Sequence, residues 1–111
     1  MLLIYTEAGS WQRKSEEERQ ALYAEYLALD DDLRAAGRLA GTSELRPVAE
    51  AVAVRAGGLV TDGPYAETKE QLGGYYIVDC ESLDEALEIA ARIPSARDGA
   101  VEVRPLVEAR G

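Results

Sequence analysis

The sequence predicts an α+β domain that runs βαββαβ with an extra hairpin in its middle. Three observations predict it. Two segments carry apolar residues at helical spacing behind Ser-x-x-Glu starts. Short apolar runs of strand length flank those segments. Gly and Pro punctuate the joins. At 111 residues the chain is one domain, residues 1–111. A chain of this size buries about two-thirds of its unfolded surface, so it holds a core alone, and pairing with a second copy would add to it.

Leu2 to Glu7 reads as a short buried strand, and Ala8-Gly9-Ser10-Trp11 as a turn or loop. Ser15-Glu16-Glu17-Glu18 matches a capping box, with three acids at the positive end of the helix dipole. Leu22, Tyr26, Leu29 and Leu33 follow on one helical face, and Gly37 suits a left-handed stop. Leu39 to Arg46 is a second strand closed by Pro47. Ala51 to Arg55 is a third, and Gly57-Gly58 turns it into Leu59-Val60-Thr61. Tyr75 to Asp79 is the next strand. Ser82-Leu83-Asp84-Glu85 is a second capping box, and Leu83, Ala86, Leu87, Ala90 and Ile93 form its stripe. Glu88 and Arg92 stand one turn apart as a favourable pair, and Pro94 stops the helix. Val101 to Arg104 alternates as a half-exposed strand with Val101 and Val103 inward. This is a ferredoxin-like order, with both helices on one face of an antiparallel sheet. Leu3, Val52, Tyr75 and Ile77 cannot all point at those helices, so the second face needs its own cover.

Composition narrows the function classes. Twelve Lys and Arg against 21 Asp and Glu give a net charge of −9. Such a surface repels phosphate backbones and anionic lipid, which predicts no nucleic-acid and no membrane partner. No run approaches the ~20 apolar residues of a spanning helix. Met1 to Glu7 lacks a basic leader and is too short for a signal peptide. With one cysteine, Cys80, no internal disulfide forms, and the expectation is a reducing cytoplasm. With no histidine, the usual zinc sets cannot be assembled, and neither metal nor cofactor is expected. Oxygen-only sites for Mg²⁺ or Ca²⁺ stay open. Phenylalanine is absent, so six Tyr and one Trp supply all aromatic volume, and a buried Tyr needs a partner for its hydroxyl.

The densest chemistry lies in Thr61 to Tyr76, which packs Asp62, Glu67, Lys69 and Glu70 around a turn and ends in Gly73-Gly74-Tyr75-Tyr76. In Asp62-Gly63-Pro64 the carboxylate can close an Asx-turn, Pro64 restricts its predecessor, and Gly63 accepts the resulting geometry. The three make a stiff corner that aims Tyr65. The competing reading has Asp62 facing a cleft as proton acceptor or cation ligand. Were the segment helical, Glu67 and Glu70 would share a face as a carboxylate pair with split pKa values. Otherwise they form a solvated loop with weak ion pairs. Gly73-Gly74 reads as a bulge at a crowded barrel edge, or as close approach of a ligand or a second backbone. Tyr75 and Tyr76 point to opposite faces. Trp11 either lids a pocket or packs on a helix end.

Asp62-Gly63-Pro64-Tyr65 resembles the signature of the YCII-related family, in the branch named for Asp-Gly-Pro-Phe, with Tyr65 in the Phe position. Leu2-Leu3-Ile4-Tyr5, Leu33-Arg34-Ala35-Ala36-Gly37, Ser82 to Leu87 and Val101 to Pro105 look similar to that family, so the resemblance covers nearly the whole chain. It implies a homodimer, the dimeric α/β barrel, in which two sheets pack face to face. Some members of the wider superfamily are suspected enzymes with a His–Asp pair, which this histidine-free chain cannot supply. Proton transfer by Asp or Glu with Tyr stays open. The resemblance also implies a functional link to sigma factors of the extracytoplasmic-function group. The expected function is small-molecule binding, with Asp62, Glu70 and Lys69 as catalytic candidates and Tyr5, Trp11, Tyr65 and Glu67 as ligand contacts. A regulatory module that binds protein is the alternative.

Overall fold

The computed structural model describes residues 1–107. Its elements are β1 (Leu2–Glu7), α1 (Glu16–Ala35), β2 (Leu39–Glu44), β3 (Val52–Val54), β4 (Val60–Asp62), β5 (Glu70–Val78), α2 (Leu83–Arg92) and β6 (Ala100–Val103). One antiparallel sheet runs in the order β2-β5-β1-β6, and β3 with β4 forms a hairpin of its own. With the hairpin set aside, the four remaining strands take the ferredoxin-like arrangement. The α+β plan with an added hairpin is therefore the observed fold.

Helix α1 forms as its sequence dictates. The Ser15 hydroxyl accepts from the Glu18 N–H at 3.1 Å while the Ser15 N–H donates to the Glu18 carboxylate at 3.0 Å. These hydrogen bonds hold the Glu18 carboxyl below its usual range. At the other end Gly37 sits at φ +71°, and the Arg38 N–H reaches the Leu33 carbonyl at 2.8 Å. That six-to-one closure satisfies carbonyls the helix leaves open.

Helix α2 departs from its reading. The Ser82 hydroxyl accepts from the Glu85 N–H, but the Glu85 carboxylate turns to Arg38 at 2.7 Å instead of closing the box. Arg92 pairs with Asp32 of α1 at 2.7 Å rather than with Glu88. The buried stripe is Ile89, Ala90 and Ile93, and Leu83 and Leu87 are exposed. Ridge contact with β6 and the neighbouring turn selects that face, because both faces of this helix are partly apolar.

The core is a single cluster between sheet and helices: Leu2, Ile4 and Tyr76 from the strands, Leu29 and Leu33 from α1, Ile89 and Ala90 from α2, and Ile93. Tyr76 stacks on Tyr26 with centroids 6.5 Å apart. The Tyr26 hydroxyl shares a 2.6 Å hydrogen bond with the buried Ser95 hydroxyl, and the Tyr76 hydroxyl donates to the Asp30 carboxylate. The aromatic hydroxyls thus find partners, as buried phenols require.

Strand β5 begins at Glu70, five residues before the expected Tyr75. Ile4 pairs with Gly74 and Tyr5 with Leu72, which leaves Gly73 as the extra residue of a bulge. The bulge lies inside the sheet, not at an edge, because β5 sits between β2 and β1. A Cβ on Gly74 would come within 3.0 Å of the Ser43 carbonyl, so the neighbouring strand explains that glycine.

Among the described residues no helix covers the other sheet face. Register places Leu3, Tyr5, Leu72, Tyr75 and Ile77 there together, because paired residues share a side. The molecule is a slab of 47 × 43 × 18 Å with a radius of gyration of 15.6 Å. A compact chain of this length has a radius near ~13 Å.

Candidate functional site

The two connections of the hairpin build a cleft beside the uncovered face. Pro47 ends the run after β2, and Val48–Glu50 make one 3-10 turn, with the Ala51 N–H donating to the Val48 carbonyl at 3.0 Å. Opposite, Gly63 takes φ +91°, a conformation open to glycine, and its N–H donates to the Ala51 carbonyl at 2.7 Å. That bond joins the two connections at the hairpin root. Further along, the Thr68 hydroxyl donates to the Glu70 carbonyl, and the Ala8 N–H donates to the Lys69 carbonyl at 3.0 Å.

The cleft has a volume of about 550 Å³. Tyr5 and Leu72 bring the sheet face into it, Leu45, Pro47, Val48 and Pro64 supply apolar walls, and Arg46, Glu50, Thr68 and Gln71 add polar groups. Arg46 grips Glu50 through Nε and Nη2 at 3.1–3.2 Å, so these two charges largely neutralise each other. A second hollow of about 380 Å³ shares Val48, Pro64, Thr68 and Gln71 and adds Glu67 and Gly63. Chemically the site is an apolar trough with an amide, a hydroxyl and an ion pair at its border.

Residues 1–110 match the family model for the YCII-related domain. This chain belongs to the YCII-related family. A relative of the YCII-related chain, an uncharacterised protein of Rhizobium meliloti (strain 1021), is 38% identical over 110 residues, spanning 95% of this chain and 89% of the relative.

The YCII-related chain distributes its sequence-derived candidates unevenly. Tyr5 lies in the cleft and Glu67 in the adjoining hollow. Asp62 ends β4 opposite Val52 and is exposed; among the described residues its carboxylate closes no Asx-turn, and the backbone bond from Gly63 makes the corner instead. Tyr65 is exposed, with the Arg55 guanidinium 5.2 Å from its ring centre. Lys69 and Glu70 are exposed beside the cleft, and Glu70 opposes Glu7 across β1 and β5. The segment from Gly63 to Lys69 is not helical, so Glu67 and Glu70 do not share a helix face. Trp11 packs edge-on against Tyr23 of α1 at 5.4 Å, beneath the Arg19 guanidinium, and lines neither hollow.

Arg46, Glu50, Val48, Thr68 and Gln71 line the site without having been singled out by sequence. The Arg46–Glu50 spacing of four was the available signal for that pair. Gln71 had none, since its place depends on the early start of β5. Among the described residues no three His, Cys, Asp or Glu side chains converge as a metal set, and no helix is long and apolar enough to cross a membrane.

Proposed function

We propose that this YCII-related protein is a homodimeric small-molecule-binding protein whose ligand lies in the cleft between the hairpin connections and the uncovered sheet face. One observation carries the reading: a trough of about 550 Å³ lined by Tyr5, Leu45, Val48, Pro64 and Leu72 opens beside an apolar sheet face that no helix of the described residues covers. That volume is typical of small-molecule sites, as is a mostly apolar lining with a few polar groups. The dimer is supported by shape. The protein exposes 7950 Å², against roughly 6,000 Å² for a compact monomer of its mass. The excess exceeds the ~800 Å² per partner of a standard interface.

Within this reading the Gln71 amide and the Thr68 hydroxyl orient the ligand, and Tyr5 stacks against it. The ligand is small, flat and largely neutral, since Arg46 is already held by Glu50 and Glu67 disfavours an anion. Asp62, Lys69 and Glu70 set the charge at the mouth. Acid–base work, if the bound molecule undergoes any, falls first to Glu67, which alone among the acidic candidates lines a hollow.

A thermal-shift screen of small aromatic and amide-bearing metabolites tests the binding. Hits are expected to raise the melting temperature of the wild type and to lose that effect in Tyr5→Ala and Gln71→Ala. Ligands that stabilise all three proteins equally would place the site elsewhere, and a screen without hits at millimolar concentration would end the proposal.

A further inference from the structure

The β3–β4 hairpin is anomalous in water. It has two strands of three residues each and, among the described residues, belongs to no larger sheet. A two-stranded hairpin this small is marginal unless something packs on it. Cross-strand register puts Val54 opposite Val60 and Val52 opposite Asp62, so the three valines share one face. That face is bare: Val52 is 62%, Val54 72% and Val60 61% exposed. The other face is served within the chain, where Ala53 is buried and the Arg55 guanidinium reaches the Thr61 hydroxyl at 3.3 Å and the Tyr65 ring. Three exposed valines gathered on one face, with Asp62 at its border, suit a contact with another surface.

We propose that the hairpin is an arm that clasps a second copy of this chain through Val52, Val54 and Val60, and that this clasp holds the cleft in shape. The occupant is a second copy for two reasons. The surplus of exposed area is what a self-associating chain of this size carries, and in a two-fold dimer each arm meets the same patch on its partner. The apolar surface is also continuous, because Tyr5 and Leu72 of the uncovered face and Ala51 of the hairpin root line one cleft. The arm therefore borders the sheet-to-sheet contact. Its two roots are the walls of the cleft, tied by the bond from Gly63 to Ala51, so a force on the arm is felt by the ligand. This inference rests on the dimer proposed above.

Sedimentation velocity on the full chain over a wide concentration range tests it, together with amide exchange of residues 52–54 and 60–62. The variant Val54→Lys/Val60→Glu introduces a cross-strand ion pair in place of the valine pair, so the hairpin stays paired while its face becomes polar. The expected result is a dimer dissociation constant raised at least tenfold, with wild-type hairpin amides losing protection as the protein is diluted. A variant that dimerises as tightly as wild type overturns the arm and leaves the sheet-to-sheet dimer standing. Hairpin protection that ignores dilution also overturns the arm. A wild type that is monomeric throughout overturns the dimer and the arm together.

Discussion

The hydroxyl of Tyr76, on the central strand β5, donates to the carboxylate of Asp30 on α1 and ties the sheet to the helix layer from inside the core. Tyr76 is 2% exposed, whereas Asp30 keeps partial access to water. The two ends of the bond therefore respond differently to its loss. Tyr76→Phe leaves a carboxylate that water can reach and is expected to cost about 1–2 kcal/mol. Asp30→Ala strips a buried hydroxyl of its acceptor and is expected to cost more. Urea unfolding of both variants checks the order, and equal costs would show that the hydroxyl finds a replacement partner.

Alkaline stability follows from the same residue. Burial, and then the Asp30 carboxylate, push the Tyr76 phenol well above its ordinary value, and burial raises Tyr26. A raised folded pKa means that the unfolded chain releases its proton first. The stabilisation is complete below pH ~10 and is lost as pH rises through the folded values. Burial also raises the Cys80 thiol, with the same sign from a somewhat lower pH. Stability measured by urea unfolding is expected to fall from about pH 9–10 upward, and less steeply in Tyr76→Phe. An identical slope in the two proteins would remove Tyr76 as a source.

Two glycines separate close packing from mere flexibility. A Cβ on Gly99 would lie 2.2 Å from the Tyr5 carbonyl oxygen, and one on Gly73 would meet only the Thr6 hydroxyl at 4.0 Å. Gly99→Ala is expected to destabilise by ~2 kcal/mol or more, because backbone must move, and Gly73→Ala by less than ~1 kcal/mol. Thermal unfolding of the pair checks the contrast, and the reverse order would mean that the bulge, not the β6 turn, is the tighter site.

The cap of α1 supplies a test at acidic pH. Ser15→Ala is expected to cost about 1 kcal/mol. Hydrogen bonds from Ser15 depress the Glu18 carboxyl, so their stabilisation is present above the unfolded value and is lost as pH falls through the folded one. The gap between wild type and Glu18→Ala, which removes the carboxylate that accepts from the Ser15 N–H, is expected to narrow below about pH 4.5. A gap between wild type and Glu18→Ala that stays constant to pH 3 would show that the carboxylate half of the box contributes nothing.

Local chemistry made much of this protein legible from its residues. Ser15, Glu18 and Gly37 act within one or two turns of themselves, so the limits of α1 follow from covalent neighbours. The Glu88–Arg92 pair and the Glu85 half of the second box, which spacing predicts, do not form because Asp32 and Arg38, distant in sequence, offer better geometry. Asp62-Gly63-Pro64 predicts a side-chain turn, but Ala51, across the hairpin root, closes the corner through the backbone.

By itself the sequence determined the order of strands and helices, the helix caps, the separate faces of Tyr75 and Tyr76, and membership of the YCII-related family. Those properties rest on period, capping and turn residues, which act over a few positions along the chain. Only the tertiary structure decided where the cleft lies, which charged groups border it, and that β5 carries its bulge in mid-sheet. Those depend on contacts between segments tens of residues apart, where competing partners differ by a hydrogen bond or two and only the folded geometry chooses among them.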